Sequence, residues 1–218
     1  MRKIYLLVAL SCYLNLSFGQ IDSNTLDKEF FLIGTLDDYM GHQQTFEADG
    51  DPFFFQMVDI YYQQEKKLVL LIDSLFKSEY PDLCISNNNA SKGLRLYSAS
   101  LSGKIDQYYD YQPSGRMTME MDTIYTGYLK KEILKTTNQK RSFLTGFFLR
   151  NKVMKNSGKY ALNIANSVRK AELITELLKY FDCKDVEYTV KKNFIPVGHW
   201  VSFIPSKEIA EIIEGSQL

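Results

Sequence analysis

The spacing of apolar residues changes twice along this chain, and those changes limit its architecture more than composition does. Up to about residue 80, apolar side chains recur at helical intervals. From residue 94, short tyrosine-rich segments alternate at a period of two, and from residue 123 the two periods interleave. Block-wise switching of this kind belongs to α+β proteins. The expected arrangement is N-terminal helices, an antiparallel Tyr-rich meander and a mixed α/β C-terminal portion.

Asn24 and Thr25 are placed to cap a helix over 25–40, in which Leu26, Phe30, Ile33, Leu36 and Met40 share a face and Gly41 ends the run. Phe31, Ile33 and Thr35, with Gly34 among them, leave a short strand over 30–36 as the alternative. Asp51-Pro52 opens a second helix, with Phe53, Met57, Ile60 and Tyr61 followed by Leu68, Leu71, Ile72, Leu75 and Phe76. It is broken near Gln63-Gln64 and stopped by Pro81.

Strands are expected over 94–101, 105–111 and 116–121, divided by Ser102-Gly103 and Pro113-Ser114-Gly115. A helix over 123–135, strands over 143–149 and 160–164, and a helix over 168–181 capped by Ser167 follow. A hairpin over 186–204 turned at Pro196-Val197-Gly198 and a helix over 207–214 complete the pattern. Internal repetition is limited to the echo of Phe194-Ile195-Pro196 in Phe203-Ile204-Pro205.

Residues 1–19 have the form of a secretory signal peptide: basic Arg2 and Lys3, an apolar run from Ile4 to Leu16, and the small-x-small end Ser17-Phe18-Gly19. The apolar run is shorter than the ~20 residues needed to cross a bilayer. Residues 20–218 then form a single α+β domain, or two lobes with a boundary near 113–122. The expected location is secreted or periplasmic, with a lipid anchor at Cys12 as the alternative and no transmembrane segment after processing. In an oxidising compartment Cys84 and Cys183 either pair or remain separate buried thiols, and sequence weighs the two evenly.

The full chain balances 26 basic against 26 acidic residues, and loss of Arg2 and Lys3 leaves a formal charge of −2. With basic residues scattered among acids, nucleic acid is not an expected partner. Local signatures for nucleophilic, phosphate-binding and dinucleotide chemistry are missing from the sequence.

The strongest candidate for chemistry is the group Asp37, Asp38, His42, Glu47, Asp49 and Asp51. If 25–40 is helical, Asp38 and His42 meet on one face, with Asp49 or Asp51 arriving from the next loop. The metal ligands in that reading are Asp38, His42, Asp49 and Asp51, holding a divalent ion that activates water. Solvated carboxylates at a helix end account for the same residues more simply. His199, beside the only tryptophan, Trp200, is a lesser candidate.

Met117, Met119 and Met121 alternate along one expected strand; core packing is the favoured reading and a soft Cu(I) site the other. Tyr97, Tyr108, Tyr109, Tyr111, Tyr125 and Tyr128 can line a sugar or peptide groove. The sequence therefore favours an exported, soluble, non-catalytic binding protein for a protein, peptide or glycan ligand, requiring no cofactor. Its alternative is a metal-assisted hydrolase using the Asp/His group near 37–51; oligomeric state is open.

Overall fold

The computed structural model describes residues 25–216, apart from 40, 47–55, 89–92, 131 and 194. The leader-like segment, Asn24, Glu47, Asp49, Asp51 and the start of the expected second helix lie outside the described residues. Among the described residues, six α-helices and ten antiparallel strands in three sheets make the fold α+β. No described helix is long and apolar enough to cross a membrane.

Helix α1 (Lys28–Thr35) leads to β1 (His42–Gln44) and β2 (Met57–Tyr62). A short 3-10 turn (Gln63–Glu65) then passes into α2 (Lys66–Phe76), followed by β3 (Cys84–Asn88), β4 (Gly93–Tyr97) and α3 (Ala99–Asp106). The hairpin β5 (Tyr109–Met117) and β6 (Thr123–Leu129) follows. The order then begins again with α4 (Thr137–Arg150), β7 (Met154–Asn156), β8 (Lys159–Ala165), α5 (Val168–Tyr180), β9 (Lys184–Lys191), β10 (Gly198–Ile204) and α6 (Lys207–Gly215).

Two successive stretches thus run helix, two strands, helix, two strands, helix. Their sheets agree as well, with order β2-β4-β3 in the first and β7-β8-β10-β9 in the second. The first half departs from the second at one strand, because β1 leaves its own sheet and pairs with β6. The internal repetition that the sequence reading confined to two tripeptides is therefore a repetition of topology. Its sequence trace is Phe31-Leu32-Ile33-Gly34 in α1 and Phe143-Leu144-Thr145-Gly146 in α4.

These two helices cross at the centre of the molecule. A Cβ on Gly34 would stand 2.1 Å from the Phe143 carbonyl oxygen, and a Cβ on Gly146 would stand 2.0 Å from the Phe31 carbonyl oxygen. The contacts are reciprocal: each helix brings its glycine against the carbonyl three residues before the other's glycine. Only hydrogen at those positions lets the backbones approach so closely. The crossing buries six consecutive residues of α1, Phe30–Thr35, and seven of α4, Ser142–Phe148. Each of the fully buried Phe31, Phe143 and Phe147 contributes about 2–3 kcal/mol of burial.

Four expectations fail, the first two for identifiable reasons. Residues 143–149 are helix, not strand, because a helix enclosed on all sides shows no polar face to mark its period. Residues 57–62 are strand, not helix, since a register shift between Met57 and Asp59 breaks the alternation. The three-stranded meander becomes β4, α3 and the β5–β6 hairpin, and the expected helix over 123–135 begins with β6. By contrast, α5, the β9–β10 hairpin and α6 fall where sequence places them.

Candidate functional site

Beyond the crossing, the C-terminal ends of α1 and α4 lie side by side. Matching Gly34 to Gly146 sets Asp37 opposite Leu149 and Asp38 opposite Arg150. The first half supplies acids there and the second supplies cations.

Arg150 is nearly buried and reaches entirely into the first half. Its guanidinium donates to the Thr35 and Ile60 carbonyls and to Asp59 Oδ2. Its Nε stands 3.4 Å from Glu65 Oε1, and its plane lies 4.4 Å from the centre of the Tyr61 ring. Burial works against its charge, but Asp59, Tyr61, Glu65 and Asp37 outweigh burial and keep it firmly protonated. Thr35 Oγ1 donates to the Leu32 carbonyl at 2.7 Å, so the fully buried Tyr61 hydroxyl is the donor in its 2.9 Å bond to Thr35. Desolvation, reinforced by Asp59, holds Tyr61 neutral.

Lys170, on the first turn of α5, is the second cation. It is 3% exposed, donates to the Leu36 carbonyl and stands 3.5 Å from Asp38 Oδ2. Asp38 Oδ1 accepts from the Tyr109 hydroxyl at 2.8 Å. Burial, and then Asp38, drive the Tyr109 pKa far upward, so Tyr109 remains a donor. Asp37 occupies the open edge, its backbone amide donating to Asp59 Oδ2 at 2.8 Å. Desolvation, with Asp59 and Asp38 alongside, outweighs Arg150 and Lys170 and pushes its carboxyl up to about 6. Water still reaches the residue, which moderates that rise.

The expected ligands meet only in part. Because α1 ends at Thr35, Asp38 and His42 lie beyond the helix rather than one turn apart on it. Tyr109 joins them: its hydroxyl binds Asp38 while its ring stacks on His42 at 4.9 Å. His42 Nε2 stands 3.9 Å from Asp106 Oδ1, outside hydrogen-bond range. Asp106 itself accepts from Tyr111 and, at 2.9 Å, from Gln44. Among the described residues, no group of three or more His, Cys, Asp or Glu side chains could hold a metal ion. Arg150 and Lys170 already supply positive charge to the acids at the helix ends.

His199 is buried, with Nδ1 2.7 Å from the Tyr188 hydroxyl; desolvation, opposed by Glu172, lowers its pKa. Cys84 and Cys183 are free thiols, the first exposed in the first half and the second buried in the other. The six tyrosines do not share one groove: Tyr109 is buried in the core and Tyr128 is exposed. Asp59, Asp106, Arg150 and Lys170 escape sequence reasoning, and Tyr109 enters it only as a groove tyrosine, not as a partner of Asp38. The paired Phe-Leu-x-Gly tetrapeptides were the available signal, since the glycines locate the helix ends.

The outward sheet faces are the other shared feature of the halves. In the first sheet, Ser86 pairs with Arg95 and Cys84 with Tyr97, on the face opposite buried Leu94 and Leu96. In the second, Trp200 stands between Asn163 and Thr189, opposite buried Val201 and Phe203. Lys191 stacks on Trp200 at 4.0 Å. Both faces combine aromatic rings, hydrogen-bonding side chains and a cation.

No family model matches the chain, and no curated protein matches it. Similar solved structures include the homing endonuclease I-WcaI bound to its DNA recognition sequence. It is 13% identical with a TM-score of 0.45, over 87% of this chain and 79% of that one. A likeness at this level transfers neither fold nor activity. That DNA-bound neighbour is the finding against the expectation of a non-catalytic binding protein and against that of a chain without a nucleic-acid partner, and both are withdrawn; it does not bear on the expected location. Net charge and the scatter of basic residues along the sequence average over the whole surface, whereas nucleic-acid contact depends on which residues share a local face.

Proposed function

We propose that this chain binds duplex nucleic acid through the outward faces of its two repeated sheets. The observation that carries the reading is the duplication of those faces, Arg95 and Tyr97 on one and Lys191, Trp200, Asn163 and Thr189 on the other. Antiparallel strands fit a duplex groove, cations contact phosphates, and amide or hydroxyl side chains contact base edges. Two similar faces joined through one helix crossing suit a ligand that itself repeats along its length. Support comes from these faces, not from the DNA-bound neighbour.

The test is fluorescence anisotropy of the chain on a labelled random-sequence DNA duplex across a salt series. Binding is expected at low salt with a dissociation constant of about 10⁻⁴–10⁻⁶ M, weakening steeply as salt rises. Arg95→Ala and Lys191→Ala should each reduce the salt slope by about 1. No binding at low salt, or a slope untouched by the double variant, would overturn the proposal.

A further inference from the structure

The tip of the β5–β6 hairpin carries the sequence Met117-Thr118-Met119-Glu120-Met121. Core packing, the favoured sequence reading of these methionines, is incorrect: Met117 is 59% exposed, Met119 98% and Met121 71%. The loop is nevertheless well tied. The Thr118 amide donates to the Asp122 carbonyl at 2.9 Å and the Met121 amide to the Thr118 carbonyl at 3.2 Å. The Asp122 amide donates to Thr118 Oγ1 at 3.1 Å.

This closure holds Met121 at φ 70°, in the left-handed region that glycine or asparagine ordinarily fills. Met117 ends β5 and Met119 lies in the turn beyond it, and both side chains face solvent while Thr118 between them is buried. Packing therefore explains none of the three side chains, and the turn itself would prefer another residue at 121. Their shared property is a soft, uncharged sulfur donor, available at any pH.

Thioethers select Cu(I) over hard divalent ions, and three thioether donors within five residues are a suitable set for it. We propose that Met117, Met119 and Met121 form a surface Cu(I) site, with Glu120 and Asp122 adding negative potential to the same loop. This site shares no residue with the sheet faces or the helix ends.

The test uses the full chain carrying Cys12→Ser and Cys84→Ser, so that neither thiol competes with the methionines for the metal; Cys84 is exposed. Cu(I) is titrated without oxygen against a chromophoric chelator while labelled methionine methyls are followed by NMR. The expected result is an equimolar complex that moves the Met117, Met119 and Met121 methyls and leaves Met154 in place. Zn(II) should move none. Met119→Leu with Met121→Leu should abolish binding and leave the thermal midpoint unchanged, since both positions are exposed. Unmoved methyls, or binding retained in the leucine variant, would overturn the site.

Discussion

The two halves agree at the helix crossing and disagree one turn beyond it. At the crossing each contributes a phenylalanine, a leucine and a glycine, and each glycine meets the other half's carbonyl. Past it, Asp38 stands where the other half has Arg150. Asp59 and Glu65 in the first half then take Arg150 from the second, and Asp38 takes Lys170. Close packing demanded the same solution twice, because two backbones can approach only where both lack a Cβ. Electrostatics demanded opposite solutions, because like charges at adjacent buried helix ends repel. The helix ends thereby became a set of ion pairs between halves.

Equivalence at the crossing makes the largest prediction. Gly34→Ala and Gly146→Ala should each cost about 4 kcal/mol, since the added carbon meets backbone that cannot rotate away. Urea unfolding of the two variants checks both the size and the symmetry. A large cost at one glycine and little at the other would break the claim that the halves are equivalent there.

Difference at the helix ends makes the next. Arg150→Met should cost about 3 kcal/mol, because Asp59 and Glu65 lose their charge partner in a largely buried setting. Adding Asp59→Asn should recover part of that loss, and the double-mutant cycle in urea isolates the coupling. If Arg150→Met unfolds at the same urea concentration as the parent, the charge asymmetry does not hold the halves together.

Sequence made part of this legible. The one-sided helices α5 and α6 and the alternating β10 were visible because each has one wet and one dry face. The enclosure of residues 142–148 hides helix α4, and a register shift between Pro113 and Arg116 hides β5 by making one strand look like two. At the site, Asp38 and His42 were legible as a local cluster of ligand types. Their partners were not, because Lys170 lies 134 residues from Leu36 and Arg150 lies 115 from Thr35 in the chain. Only recognising Phe-Leu-x-Gly as a repeat would have paired the helices and brought those cations to the acids.

Asp37 gives the smallest and most selective test of the helix-end asymmetry, because it is the acid left at the rim without a cation of its own. Its folded pKa, about 6, lies above the ordinary 3.8. Between those values the folded chain binds more protons than the unfolded chain, so stability falls as pH rises through that window. The favourable contribution is complete below 3.8 and gone above about 6. Asp37→Asn should therefore raise the thermal midpoint at pH 7.5 by the equivalent of about 1 kcal/mol, reduced because water reaches the residue. The gain should shrink as pH falls through the window. Scanning the thermal midpoint of both proteins from neutral to acidic pH decides it. Destabilisation by Asp37→Asn at pH 7.5 would show that Arg150 is shared with Asp37 as a stabilising partner, and would extend the ion-pair set to the rim.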